Sequence, residues 1–256
     1  MQAVPPTPPP AVVSPAPSPS PSPAPSPGPS ASPAPLAGPW IAAPRPWGTR
    51  AWMAQHDAFV ARAQQGNVDV LFIGDSITAF FLTRAPGVWN GEIAPLGNVA
   101  NFGIEGDRTQ FVLWRVQNGE LDGTNARVVV LMIGTNNLAT ATPENVARGI
   151  SAIVGVIRTK LPDAVIVLNA LLPRSTPDDP VRAKLADVNA RIGALADGTH
   201  VRWLDAGPGF LDTDGAIPAA LMRDKLHPTP AGYEVWAAAL RPVLTELLAQ
   251  PRPSSR

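Results

Sequence analysis

The chain has 256 residues, no cysteine, and twenty basic side chains against twenty acidic ones. Disulfides and thiolate metal sites are excluded, and no Lys/Arg run offers itself to nucleic acid or an anionic membrane. No apolar run reaches the ~20 residues needed to span a bilayer.

Residues 1–40 are built almost entirely from Pro, Ala, Ser, Gly and Val, and half of the 32 prolines precede Ile41. The first charged side chain is Arg45. Such a segment has too little apolar surface to offset the entropy of ordering, so it reads as a disordered, polyproline-prone linker. A PxxP ligand for a partner domain is the alternative. Residues 41–250 suit one domain with a substantial core, and residues 251–256 read as a disordered tail.

Two hydrophobic periods alternate along the folded part. Trp52 to Gln64 reads as a helix. Val68 to Ile73 reads as a strand, with a helix opening near Ser76. Asn98 to Phe102 is a weaker strand, followed by a helical stretch from Arg108 to Val116. Arg127 to Ile133 is a third strand. Thr142 and Pro143 are a cap and first position for a helix whose stripe is Val146, Ile150, Ile153 and Ile157. Ala164 to Leu168 is a fourth strand. Leu185, Val188, Ile192 and Leu195 form the next stripe, and Val201 to Leu204 the fifth strand. Thr229-Pro230 starts a last helix with the stripe Tyr233, Trp236, Leu240, Val243 and Leu247. Short aliphatic strands alternating with helices predict a three-layer α/β/α sandwich. Its five-stranded parallel sheet should have the flavodoxin-like order 2-1-3-4-5. Function in such a sheet gathers at the carboxyl ends of its strands.

Four features fall at those ends. The first strand runs into Gly74-Asp75-Ser76, which puts Ser76 at a helix start, beside unpaired N–H groups and the positive end of a dipole. That placement suits a nucleophile, and it also suits an ordinary N-cap. The second strand ends at Asn101-Phe102-Gly103, where a missing Cβ lets a backbone N–H approach a ligand, or simply eases a turn. The third runs into Gly134-Thr135-Asn136-Asn137. Asn136 can aim its amide at an oxyanion or close an Asx-turn. Before the last helix, His227 stands three residues after Asp224. A carboxylate there can fix the imidazole tautomer while the other ring nitrogen faces a serine. A surface Asp–His pair is the alternative. Of the other histidines, His56 is expected on an exposed polar helix face, and His200 opens a strand without an acidic neighbour of note. The four features together point to nucleophilic acyl chemistry: Ser76, Asp224 and His227 relay a proton. The Ser76 N–H, the Gly103 N–H and the Asn136 amide hold an oxyanion. This chemistry needs no metal and no cofactor.

In the same order, these blocks resemble those of the SGNH (GDSL-type) hydrolases, over about Asp69 to Leu248. Asn101-Phe102-Gly103-Ile104, Val112-Leu113-Trp114-Arg115, Asn118-Gly119-Glu120-Leu121, Gly134-Thr135-Asn136-Asn137 and Leu171-Leu172-Pro173-Arg174 look most like the platelet-activating factor acetylhydrolase catalytic-subunit group. The resemblance implies a serine esterase acting on short acyl, acetyl-type esters. Its substrate would be a small-molecule or carbohydrate ester. Carbohydrate deacetylation, acyl transfer to an alcohol, and a non-catalytic binding module on the same fold are the alternatives. It also implies a homodimer, as in the animal relatives. Two departures stand out: Asn137, where many members carry Asp, and the Pro-rich arm. The arm suggests an exported enzyme (periplasmic, secreted or envelope-tethered) whose signal segment is not visible, since Met1-Gln2-Ala3-Val4-Pro5 lacks signal-peptide regions.

Overall fold

Five strands form one parallel sheet: β1 (Val70–Gly74), β2 (Val99–Gly103), β3 (Val128–Met132), β4 (Val165–Asn169) and β5 (Val201–Leu204). Their order is β2-β1-β3-β4-β5, as expected from the alternation. The computed structural model describes residues 1–2 and 38–250. The readings of a linker at 1–40 and a tail at 251–256 otherwise fall outside the described residues.

Strands β1 and β3 are buried at every position, because helices cover both faces of the sheet. The helices are α1 (Thr49–Gln64), α2 (Ser76–Arg84), the single turn α3 (Pro86–Val88), α4 (Thr109–Gln117), α5 (Pro143–Lys160), α6 (Pro180–Gly193) and α7 (Pro230–Ala249). Right-handed crossovers fix their faces. The chain steps one way from β1 to β2 through α2, and the other way through α4, α5 and α6. Helices α4, α5 and α6 therefore pack side by side, and α7 lies on the opposite face with α2. Phe81 of α2 stacks on Tyr233 of α7 with ring centroids 4.6 Å apart. Tyr233 donates its hydroxyl to the Ile77 carbonyl at 2.7 Å.

Local signals set the helix ends. Thr142 accepts from the Asn145 N–H and Thr229 from the Gly232 N–H, each followed by proline at the first position. Helix α1 starts three residues earlier than its apolar pattern, at a left-handed Gly48. Strands β1, β2 and β4 end a residue later than the hydrophobic runs, β3 is a residue shorter at each end, and β5 matches its run. Ladder pairing carries β1 through Gly74, which pairs with Gly103 on one side and Met132 on the other. No described helix is long and apolar enough to cross a membrane.

Candidate active site

The register sets the stage. Strand β1 lies between β2 and β3, so the loops after all three open side by side at the carboxyl edge. This is also where the strand order reverses, the usual place for a ligand in an open α/β sheet.

Ser76 is the first residue of α2 and is nearly buried. Its N–H has no intrahelical acceptor. Asp75 caps the helix by accepting the Ile77 N–H at 3.0 Å. The Ser76 Oγ lies 3.0 Å from Nε2 of His227, 151 positions away in the chain. The other ring nitrogen, Nδ1, is 2.7 Å from Oδ2 of Asp224. The remaining oxygen of Asp224 accepts the His227 N–H at 2.8 Å and the Leu226 N–H at 3.1 Å. A left-handed Lys225, with φ of 54°, turns the loop tightly enough for this. Burial pushes the Asp224 carboxyl up. The two N–H groups and the imidazole outweigh it and hold the carboxyl below its ordinary range. Asp224 therefore stays ionised where an imidazole exchanges protons. The Phe80 ring flanks His227, with centroids 5.3 Å apart.

Gly103 ends β2 against the start of α2. A Cβ there would come within 2.4 Å of the Ala79 nitrogen, so only glycine allows the contact. Its N–H donates to Oδ1 of Asn101 at 2.9 Å, and the Asn101 amide donates to the Thr78 carbonyl at 2.8 Å. Asn136 sits in a 3-10 turn after β3 and donates through Nδ2 to the Asp107 carbonyl at 2.9 Å, leaving one amide hydrogen over. Its neighbour Asn137 uses both ends of its amide. Oδ1 accepts the Thr109 N–H at 3.0 Å and caps α4, while Nδ2 donates to Gln110 at 3.0 Å. A carboxylate could only accept, which accounts for Asn at this position.

Two recesses flank the pair. One of about 570 Å³ opens beside Gly103, lined by Trp47, Phe59, Phe80, Leu82, Asn101 and Glu105 among others. The other, about 360 Å³, lies against His227 and holds Arg84 and Arg223. Among the described residues, no group of three or more His, Cys, Asp or Glu side chains is placed to hold a metal ion.

The structure thus brings Ser76, Asp224 and His227 into contact and sets Gly103 and Asn136 at the same edge. Two histidine expectations are corrected. His56 is buried, not exposed, and its Nδ1 lies 2.9 Å from the buried Glu120. On α1, His56 stacks against Trp52, one turn back, and both rings pack against Trp114 of α4. His200 does have an acidic neighbour: Asp197 Oδ2 lies 3.5 Å from its Nδ1. That pair has the same three-residue spacing as Asp224–His227. It lies exposed at the start of β5, at the amino end of the sheet.

A buried ionic cluster was missed altogether. Arg115 of α4 is fully buried and donates from Nη1 and Nη2 to the Phe102 carbonyl at 3.0 and 2.9 Å. Its Nε lies 3.2 Å from Asp107 Oδ2, off the hydrogen-bond line. Trp52 donates to the other Asp107 oxygen at 2.8 Å. Glu120 stands 3.6 Å from Arg115 and completes the chain to His56. Burial pushes the Asp107 carboxyl up to about 6 despite the Arg115 guanidinium, which pulls it down. The available signal was a cation on an otherwise apolar helix face, four residues after Phe111 and three after Val112.

Residues 72–235 match the model of the GDSL-like lipase/acylhydrolase family. The chain belongs to this family and is a carboxylic ester hydrolase. It is 41% identical over 204 residues to platelet-activating factor acetylhydrolase IB subunit alpha1 of Homo sapiens, covering 79% of this chain and 87% of that one. The alpha2 subunit of Bos taurus matches at the same identity and coverage. Among solved structures, a GDSL-like lipase from Bacteroides thetaiotaomicron superposes with a TM-score of 0.62 at 18% identity, over 77% of this chain and 97% of that one. An acetylxylan esterase from Geobacillus stearothermophilus gives 0.56 at 20% identity, over 75% and 98%. These two share the fold.

Proposed function

We propose that the protein hydrolyses short-chain, acetyl-type esters through an acyl-enzyme on Ser76. The observation that carries this reading is the Ser76–His227 contact of 3.0 Å, continued by the His227–Asp224 contact of 2.7 Å. His227 Nε2 takes the hydroxyl proton as Ser76 Oγ attacks the ester carbonyl. Asp224 holds the tautomer and stabilises the imidazolium. The developing oxyanion takes the N–H of Ser76, the N–H of Gly103 and the free amide hydrogen of Asn136. Gly103 shares its N–H with Asn101, and the anionic oxygen is the stronger acceptor of the two. As the tetrahedral intermediate collapses, His227 returns the proton to the leaving alcohol. Water then repeats the sequence on the acyl-enzyme and releases the acid.

The acetyl preference is supported by the acetylhydrolase relatives at 41% identity. In a p-nitrophenyl ester series, kcat/KM should peak at acetate or propionate and fall with chain length. A peak at octanoate or beyond would refute it. Acetylated xylan offered beside a short-chain lipid ester decides whether the alcohol part is a carbohydrate. Ser76→Ala should abolish turnover. Asn136→Ala should stay folded and lose about 10²–10³ in kcat, the usual effect of one missing oxyanion donor. Undiminished hydrolysis by Ser76→Ala would overturn the reading.

We further propose that the enzyme acts outside the cytoplasm, on the strength of its Pro/Ala/Ser-rich residues 1–40. Finding the full chain only in the cytoplasmic fraction would refute this.

A further inference from the structure

A peptide unit is rigid, so whatever grips its carbonyl also sets the direction of its N–H. The carbonyl of Phe102 and the N–H of Gly103 belong to one such unit. Arg115 grips that carbonyl with two hydrogen bonds, at 3.0 and 2.9 Å. Donors on a carbonyl also polarise the amide and strengthen its N–H as a donor, more so when the donor is charged and water is excluded. The cluster reaches the neighbouring loop as well. Asp107, beside the Arg115 Nε and fixed by Trp52, supplies the backbone carbonyl that orients the Asn136 amide at 2.9 Å.

Stability alone does not explain this cluster. A buried ion pair is often no better for the fold than well-packed apolar side chains of the same volume. Here four ionisable side chains, His56, Asp107, Arg115 and Glu120, are sealed between α1, α4 and the end of β2. None is among the residues that touch the reacting atoms in the proposed reaction. Their shared outlet is a pair of backbone carbonyls: that of Phe102, whose peptide unit carries the Gly103 N–H, and that of Asp107, which accepts from the Asn136 amide.

Resting on the esterase reading, we propose that Arg115, with Asp107 as its counter-ion, is the positioning residue that aims the Gly103 N–H and the Asn136 amide at the ester oxyanion. The guanidinium fork suits this task because its donors are planar and set at fixed angles. A lysine keeps the charge and loses the fork.

The test compares Arg115→Met and Arg115→Lys with the wild type on p-nitrophenyl acetate. Active sites are counted by titration with a p-nitrophenyl phosphonate. Per titrated site, kcat should fall about tenfold to a hundredfold in Arg115→Met, as misaimed oxyanion donors do, with KM nearly unchanged. Arg115→Lys should recover part of it. An alkylboronic acid, whose tetrahedral adduct on Ser76 mimics the oxyanion, should lose affinity by the same factor as kcat/KM. A merely structural role lowers the melting temperature and the fraction of active sites, leaving kcat per site and boronate affinity alone. That result overturns the proposal. If Arg115→Met does not fold, Trp52→Phe decides, because it removes the Asp107 carboxylate's indole donor while keeping an aromatic ring at the site. Wild-type kcat per site and wild-type boronate affinity in Trp52→Phe would then refute it. The two readings fail separately: an active Ser76→Ala sinks the esterase, whereas an inert Ser76→Ala with a fully active Arg115→Met sinks only the positioning role.

Discussion

Asp75 shows how the site loop trades stability for placement. Burial pushes its carboxyl up to about 7, aided by the Asp107 carboxylate and opposed by the Ile77 N–H it caps. The unfolded chain gives up this proton near the ordinary value of 3.8. The contribution of Asp75 to stability is therefore fully present below about pH 4 and is lost as pH rises through 7. Asp75→Asn keeps an oxygen for the Ile77 N–H and carries no charge. We expect its melting temperature, relative to the wild type, to climb steadily between pH 4 and pH 8, by on the order of a few kcal/mol in stability at most. A constant difference across that range, measured by calorimetry, would show that Asp75 is not kept protonated by burial.

Helix α5 carries a paired test of what its glycines do. A Cβ on Gly149 would lie 2.3 Å from the Pro39 carbonyl and 2.7 Å from Thr109 Oγ1. Those two groups bond each other at 2.8 Å, and Trp40 lies under the Arg148 guanidinium at 4.7 Å. The segment before α1 is thus strapped across α4 and α5 through the gap that Gly149 leaves. Gly155, one turn and a half further on, has nothing within 4 Å of its missing Cβ. Gly155→Ala should stabilise by about 0.5–1 kcal/mol through helix propensity. Gly149→Ala should destabilise by roughly 1–3 kcal/mol, because overpacking outweighs that gain. Opposite signs in urea unfolding confirm the strap. A stabilised Gly149→Ala rules it out.

Over the molecule as a whole, Ser76 and His227 come from opposite ends of the domain's sequence, 151 positions apart. What holds them together is the packing of α2 on α7, where Phe81 stacks on both Tyr233 and Trp236. The Tyr233 hydroxyl bonds the Ile77 carbonyl, one residue from Ser76 and 156 positions away from Tyr233. Burial pushes this phenol far above its ordinary range, so it remains a donor at any working pH. Tyr233→Phe leaves that buried carbonyl without the hydroxyl. It should cost about 1–3 kcal/mol, or a few degrees of melting temperature for a domain of this size. Since α7 follows directly on the His227 loop, kcat should fall with KM unchanged. Full activity in Tyr233→Phe would mean that the loop is held by its own turn.

Periodicity and turn chemistry were enough to read the sheet order and the helix starts at Thr142 and Thr229, because local hydrogen bonding and one-sided burial are written in neighbouring residues. The candidate site positions were legible for a related reason. In a parallel sheet the carboxyl end of a strand is a place that can be named from sequence; Gly103 ends one strand, and Ser76 and Asn136 each follow one. Spacing alone could not choose between Asp224–His227 and Asp197–His200. The place of Asp224–His227 before the last helix did favour it, and the folded chain puts that pair beside Ser76 and the other at the far end of the sheet. The cluster around Arg115 lay beyond the sequence. Whether a buried charge has partners depends on which elements meet over it, and α1, α4 and β2 meet only in three dimensions.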